Sequence, residues 1–217
     1  MAHSPFVQPF EQLPDTLPIF PLPGAVLLPG NELPLNIFEP RYLNMVNDAL
    51  GSHRLIGMIQ PKPDVADDQA LFHTGCAGRI TQFRETSDYR IEMVLNGVCR
   101  FDIAETLATT RGYRMIVPDW SRFKADYDNH DDELSSEHEH LVSTVRRYAE
   151  SKGMSADWEA LERLSTVTLM NSLGMALPIS VQDKQVLLEA VDSSERLNAF
   201  IAMLASASEP PVSILKH

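Results

Sequence analysis

At 217 residues, 44% hydrophobic and 22% charged, the chain lies in the ordinary globular range and is long enough for one large domain or two small ones. A formal net charge of −12 argues against a nucleic-acid backbone as partner, because such binding needs a basic patch to release counterions. No apolar run approaches the roughly 18 residues of a membrane helix, and the N-terminus has no basic stretch followed by an apolar core, so a cytoplasmic location is the default expectation. Two cysteines, Cys76 and Cys99, are too few for a disulfide framework and lack C-x-x-C spacing, so two reduced thiols are expected.

Nine of the 15 prolines fall within the first 40 residues, which forbids helix there and favours extended segments. Residues 1–14 read as a flexible N-terminus. Leu17-Pro18-Ile19-Phe20-Pro21-Leu22 and Ala25-Val26-Leu27-Leu28-Pro29-Gly30 read as two short edge strands or strand-like loops around a Pro23-Gly24 turn. The chain then reaches its organising corner. Leu33, Leu35 and Ile37 alternate as a strand face, with Pro34 implying a strand start or sheet edge. Pro40 suits a first helical position, and Tyr42, Met45, Val46 and Ala49 follow at helical spacing. Glu39 and Arg41 at this corner are either exposed or paired with each other, or they mark a recognition surface.

Leu55 to Gln60 reads as a buried central strand, and the acidic segment 62–69 as a loop. Leu71–Arg84 and Tyr89–Ile103 read as a hairpin around Glu85-Thr86-Ser87-Asp88. In its second arm Tyr89, Ile91, Met93, Leu95, Cys99, Phe101 and Ile103 share one face; Arg90, Glu92, Asn96, Arg100 and Asp102 share the other, with a bend or bulge at Gly97. Paired about that turn, Cys76 and Cys99 fall nearly opposite one another. A further strand, Tyr113–Val117, ends at Pro118.

From Asp119 the character turns helical, placing a boundary near residue 120. Leu134, Leu141, Val145 and Tyr148 form one helical stripe, ended by Gly153; Trp158, Leu161, Leu164 and Thr168 form another, ended by Gly174. Ser180 caps a helix to Val191, and Asp192-Ser193-Ser194-Glu195 starts the last one in the manner of a capping box, leaving 207–217 as a flexible tail.

The sequence gives little support to catalysis. The run from Asp126 to Asp132, with Glu137, His138, Glu139 and His140 behind it, fails as a calcium loop, because Asp131 stands where glycine is needed and His130 where an oxygen ligand is expected. His138 and His140 lack the i, i+4 spacing of a helical zinc pair, so a solvated linker is the better reading. None of the ten glycines opens a Walker loop, there is no G-x-S-x-G elbow, and the five lysines show no evident serine partner. No catalytic residue, metal or cofactor is expected.

Several segments in order, Leu17–Leu22, Val26–Gly30, Leu33–Leu35, Ile59-Gln60, Gly75-x-x-Gly78-Arg79-Ile80 and Asn96–Phe101, resemble the N-terminal substrate-binding domain of the Lon ATP-dependent proteases across most of residues 15–117. The resemblance implies an α+β fold. A PUA-like antiparallel pseudo-barrel with one packed helix, over 15–117, would be followed by a helical bundle over 118–206. It also implies a non-catalytic module that binds unfolded or degron-bearing polypeptide or a protease component, since the family's ATPase and serine-lysine protease modules lie downstream of the matched region. An apolar rim of Phe20, Leu22, Leu27 and Leu28, with Phe38 and Tyr42 from the corner, is the expected peptide-binding surface, its proline-broken edges leaving backbone free to pair. An RNA-binding PUA-like protein and an enzyme with an unrecognised site are the alternatives.

Overall fold

A computed structural model describes residues 9–63, 70–127 and 134–208. Apolar alternation and proline placement build five strands into a ring. Strand β1 (Leu17–Pro21) pairs with β3 (Leu55–Ile59), β3 with β4 (Thr74–Glu85), β4 with β5 (Ile91–Leu107), β5 with β6 (Arg114–Asp119), and β6 with β1. A sixth strand, β2 (Glu32–Ile37), lies on the first half of β5 as a free edge, where Pro34 costs no ladder bond. The sheet is mostly antiparallel, as expected, with one parallel pair. β1 and β3 run parallel, joined by a crossover through β2 and helix α1 (Pro40–Leu50). Strand β6 continues through Pro118, beyond its expected end, because on that stretch only β5 flanks it.

The ring is filled by Leu17, Ile19, Leu55, Ile59, Ala77, Cys99, Phe101 and Ile116. Phe101 occupies its centre, where a Cβ on Gly75 would come 2.5 Å from the phenyl ring and one on Gly57 2.9 Å, so both strands need glycine there. Leu13 joins this core and Phe10 stacks edge-on against Tyr127 at 5.5 Å, so residues 9–14 pack against the barrel instead of hanging free. Outside the ring, Tyr42, Met45, Val46 and Ala49 of α1 pack with Ile37, Ile56, Met58, Cys76, Ile80, Ile91, Met93 and Leu95.

The bulge expected at Gly97 is present and changes more than the local bend. Ala77 pairs with Cys99 and Gly78 with Gly97, leaving Val98 unmatched. Every side chain after it therefore switches face. Met93 and Leu95 point to the outer core, whereas Cys99 and Phe101 point into the ring and Arg100 points outward, so the single shared face read from alternation is corrected. Cys76 pairs with Arg100 and lies on the outer face, so the two thiols are on opposite faces of the sheet; both are free.

After a 3-10 segment (Ser121–Tyr127) come helices α2 (His138–Ser151), α3 (Trp158–Glu162), α4 (Thr166–Ala176), α5 (Val181–Glu189) and α6 (Ser193–Ser208). The single helix expected from Trp158 to Gly174 is two, because Ser165 accepts the Thr168 N–H and opens a new one. Gly174 lies inside α4, where Leu187 packs closely against it. Ser180 caps α5 as expected, and Asp192 and Glu195 accept the Glu195 and Val191 N–H groups at the start of α6. Among the described residues no helix is long and apolar enough to cross a membrane.

Candidate functional site

The six residues expected to form an apolar rim do not share one surface. Phe20, Leu27, Leu28 and Tyr42 are core residues, no more than 7% exposed, and Leu22 is half-buried; Phe38 alone is open, at 59%. The correction has a simple cause. Strand β1 is an interior strand, with β6 alongside Leu17–Ile19 and β3 alongside Ile19–Pro21, so Pro18 and Pro21 each have a neighbour on one side only. The prolines mark staggered pairing and not a sheet edge. The segment carrying Leu27 and Leu28 lies across β4 and β5, with the Leu27 side chain over Gly78 and the Leu28 carbonyl over Gly97. Phe20 stacks on Tyr42 with ring centres 4.4 Å apart.

The open surface lies instead on the ribbon made by β2, the first half of β5 and the second half of β4. Strand β3 covers β4 only as far as Arg79, so Gln82–Glu85 form a second free edge opposite that of β2. Leu35, Met93 and Phe83 stand in one cross-strand row; Met93 is buried and Phe83 is half exposed. A cavity of about 540 Å³ is lined by these three with Val94, Arg84 and Glu92. Toward the ribbon end Phe38 lies under the Arg90 guanidinium at 5.6 Å, and Tyr89, 90% exposed at φ +63°, forms the turn. Phe38, Phe83 and Tyr89 are three of the six large hydrophobic side chains that are exposed among the described residues, which makes this ribbon the apolar surface of the barrel. Its arginines are neutralised locally: Arg41 pairs with Glu39, Arg84 with Glu92, and Arg90 with Asp88.

Sequence reasoning missed Arg100 and Asp126. The bulge turns Arg100 onto the outer face of the sheet, where the end of α5 covers it and it is 2% exposed. Its Nε donates to both Asp126 carboxylate oxygens at 3.1 and 3.0 Å, and its Nη2 donates to Oδ1 at 2.7 Å. The guanidinium also donates to the carbonyls of Leu188, in the last turn of α5, and of Ala190 and Val191 just past it, and stacks on Phe123. Asp126 is thus a buried partner of the sheet and not a linker acid. Gly78 and Gly97, which face each other at the bulge, carried the only signal, through the face switch that a bulge imposes on Arg100.

Residues 128–133, which hold most of the acidic run, lie outside the described residues. His138 faces the Glu162 carbonyl and the Thr166 hydroxyl within the helices. Among the described residues no three His, Cys, Asp or Glu side chains gather as a metal site. Burial pushes both cysteine thiols well above their usual range.

Comparison with known proteins places this geometry. The crystal structure of a Lon N-terminal domain protein from Xanthomonas campestris superposes with a TM-score of 0.64 at 27% identity, covering 86% of this chain and 97% of that one. The N-terminal domain of Mycobacterium avium complex Lon protease shares the fold, with a TM-score of 0.65 at 17% identity, over 88% and 98%. Lon protease 2 of Myxococcus xanthus is 24% identical over 207 residues, 89% of this chain and 24% of that protein. Lon protease of Parabacteroides distasonis is 30% identical over 144 residues, 65% of this chain and 17% of that protein. This chain therefore spans a quarter or less of the length of these curated relatives. Since the family model for the ATP-dependent protease La (LON) substrate-binding domain matches residues 16–206, barrel and helices together, the chain belongs to that family.

Proposed function

We propose that this chain is a non-catalytic polypeptide-binding module that takes up unfolded or degron-bearing segments on the β2–β5–β4 ribbon, acting as an adaptor or regulator in protein quality control. The observation that carries this reading is the gathering of Phe38, Phe83 and Tyr89 beside two free strand edges. Aromatic side chains give large contact area at low entropic cost, and free edges offer backbone groups to an extended chain. Pro34 withdraws a donor from the β2 edge, which blunts indiscriminate pairing and leaves selection to the side chains. The closed five-strand ring with its packed helix supports the PUA-like reading of the barrel.

The local neutralisation of Arg41, Arg84 and Arg90 favours peptide over RNA, since a phosphate backbone needs cations that are not already paired. A salt titration tests this. Binding of a fluorescent unfolded polypeptide, such as reduced and carboxymethylated lactalbumin, is expected to change little between low and physiological salt. Binding that falls by orders of magnitude over that range, or tight salt-sensitive binding of single-stranded RNA in its place, would refute the polypeptide reading.

A further inference from the structure

The apolar clusters of this protein largely divide at the junction between the sheet and helices α2–α6. Buried residues of the ring core come from the barrel and the 3-10 segment, and those of the helical core from residues 134–204; from helices α2–α6 the outer barrel core takes one buried residue, Leu188, and the partly buried Met175. What crosses the junction is polar. Four of the nine buried polar or charged side chains among the described residues, Gln60, Arg100, Lys184 and Gln185, take part in hydrogen bonds across it. Gln60 donates to the Val181 carbonyl at 3.0 Å and to Gln185 at 3.1 Å, and Gln185 donates to the Thr74 carbonyl at 3.1 Å. Lys184 reaches the Gly24 carbonyl at 3.0 Å, and Arg100 holds the carbonyls at the C-terminal end of α5.

Such a seam is poorly suited to bind permanently. Its hydrogen bonds exchange for bonds to water when it opens, so each contributes little net, unlike apolar burial. Gln60 Oε1 is buried there without a hydrogen-bond partner, a penalty that hydration would relieve. Arg100 keeps Asp126, which belongs to the barrel side, so opening does not strand its charge. Interfaces of this polar character within one chain are those across which units move.

We propose that helices α2–α6 undock from the barrel as a folded unit, opening this seam while the ring core and the helical core each stay intact. The open form presents the outer face of β4 and β5, with the socket vacated by Leu188 beside the Arg100 guanidinium. The proposal is independent of what the ribbon binds.

The two cysteines report on it without alteration of the protein. Cys76 lies on the outer face between Met58 and Arg100, whereas Cys99 is inside the ring. A thiol-specific aryl disulfide is added at concentrations where the rate is proportional to reagent, with each site resolved by peptide mass spectrometry. Cys76 is expected to react at least about tenfold faster than Cys99, with a shallower urea dependence, because a sub-global opening exposes less surface than unfolding. Ile116→Val, in the ring core, is expected to speed Cys99 about fivefold and leave Cys76 unchanged, since it destabilises docked and undocked forms alike. Phe200→Leu, in the helical core, is likewise expected to leave Cys76 unchanged. One rate and one urea dependence for both thiols would overturn the proposal, as would acceleration of Cys76 by Phe200→Leu, which would mean that the helices unfold instead of undocking.

Discussion

Asp126→Ala is expected to lower the unfolding free energy by about 3–5 kcal/mol. The carboxylate is 6% exposed and receives the Arg100 backbone N–H at 2.8 Å as well as the guanidinium. Removing it strands a cation that is 2% exposed over Phe123, with only carbonyl oxygens for company. The double variant Asp126→Leu with Arg100→Met is expected to recover only part of the loss. Replacing both members of a buried pair can be neutral where their partners are each other, but here the Leu188, Ala190 and Val191 carbonyls would lose their donor as well. Urea unfolding at unchanged slope measures all three proteins. A loss below about 1 kcal/mol for Asp126→Ala, the range of an exposed pair, would contradict the buried pairing.

The second large effect separates core from surface among the residues of the once-expected rim. Phe20→Ala is expected to cost about 3–5 kcal/mol of stability, because it removes a buried ring and leaves a cavity against Tyr42 in a strand held on both sides. Phe38→Ala, at a side chain 59% exposed, is expected to stay within about 0.5 kcal/mol of the parent. Equal losses at the two positions would show that Phe38 is also structural.

Much of the fold was legible because local signals agreed with tertiary demand. Pro40 and the Tyr42, Met45, Val46 and Ala49 stripe define α1, Pro34 marks a true edge strand, and Ser180 and Asp192 start helices where their side chains can cap. The binding surface was less legible. Proline in β1 has two meanings, a free edge or a stagger between two partners, and only the pairing of β1 with β3 and β6 decides between them. Tyr89 read as a member of an apolar face and Phe83 lay within a strand, yet they stand where the hairpin turns and where β4 has outrun β3, beyond the reach of any covering element among the described residues. Arg100 was placed on the face opposite Met93 and Leu95 because alternation was carried unbroken through Gly97, although a bulge inverts the parity of the residues after it.

The most direct measurement is the affinity of a fluorescent unfolded polypeptide for the parent protein and for a Phe38→Ala, Phe83→Ala double variant, each checked for an unchanged urea midpoint. If the ribbon is the recognition surface, each aromatic is expected to contribute more than about 1 kcal/mol, so the double variant binds at least about thirtyfold more weakly. Unchanged affinity in the folded double variant would contradict the account and place recognition elsewhere on the protein.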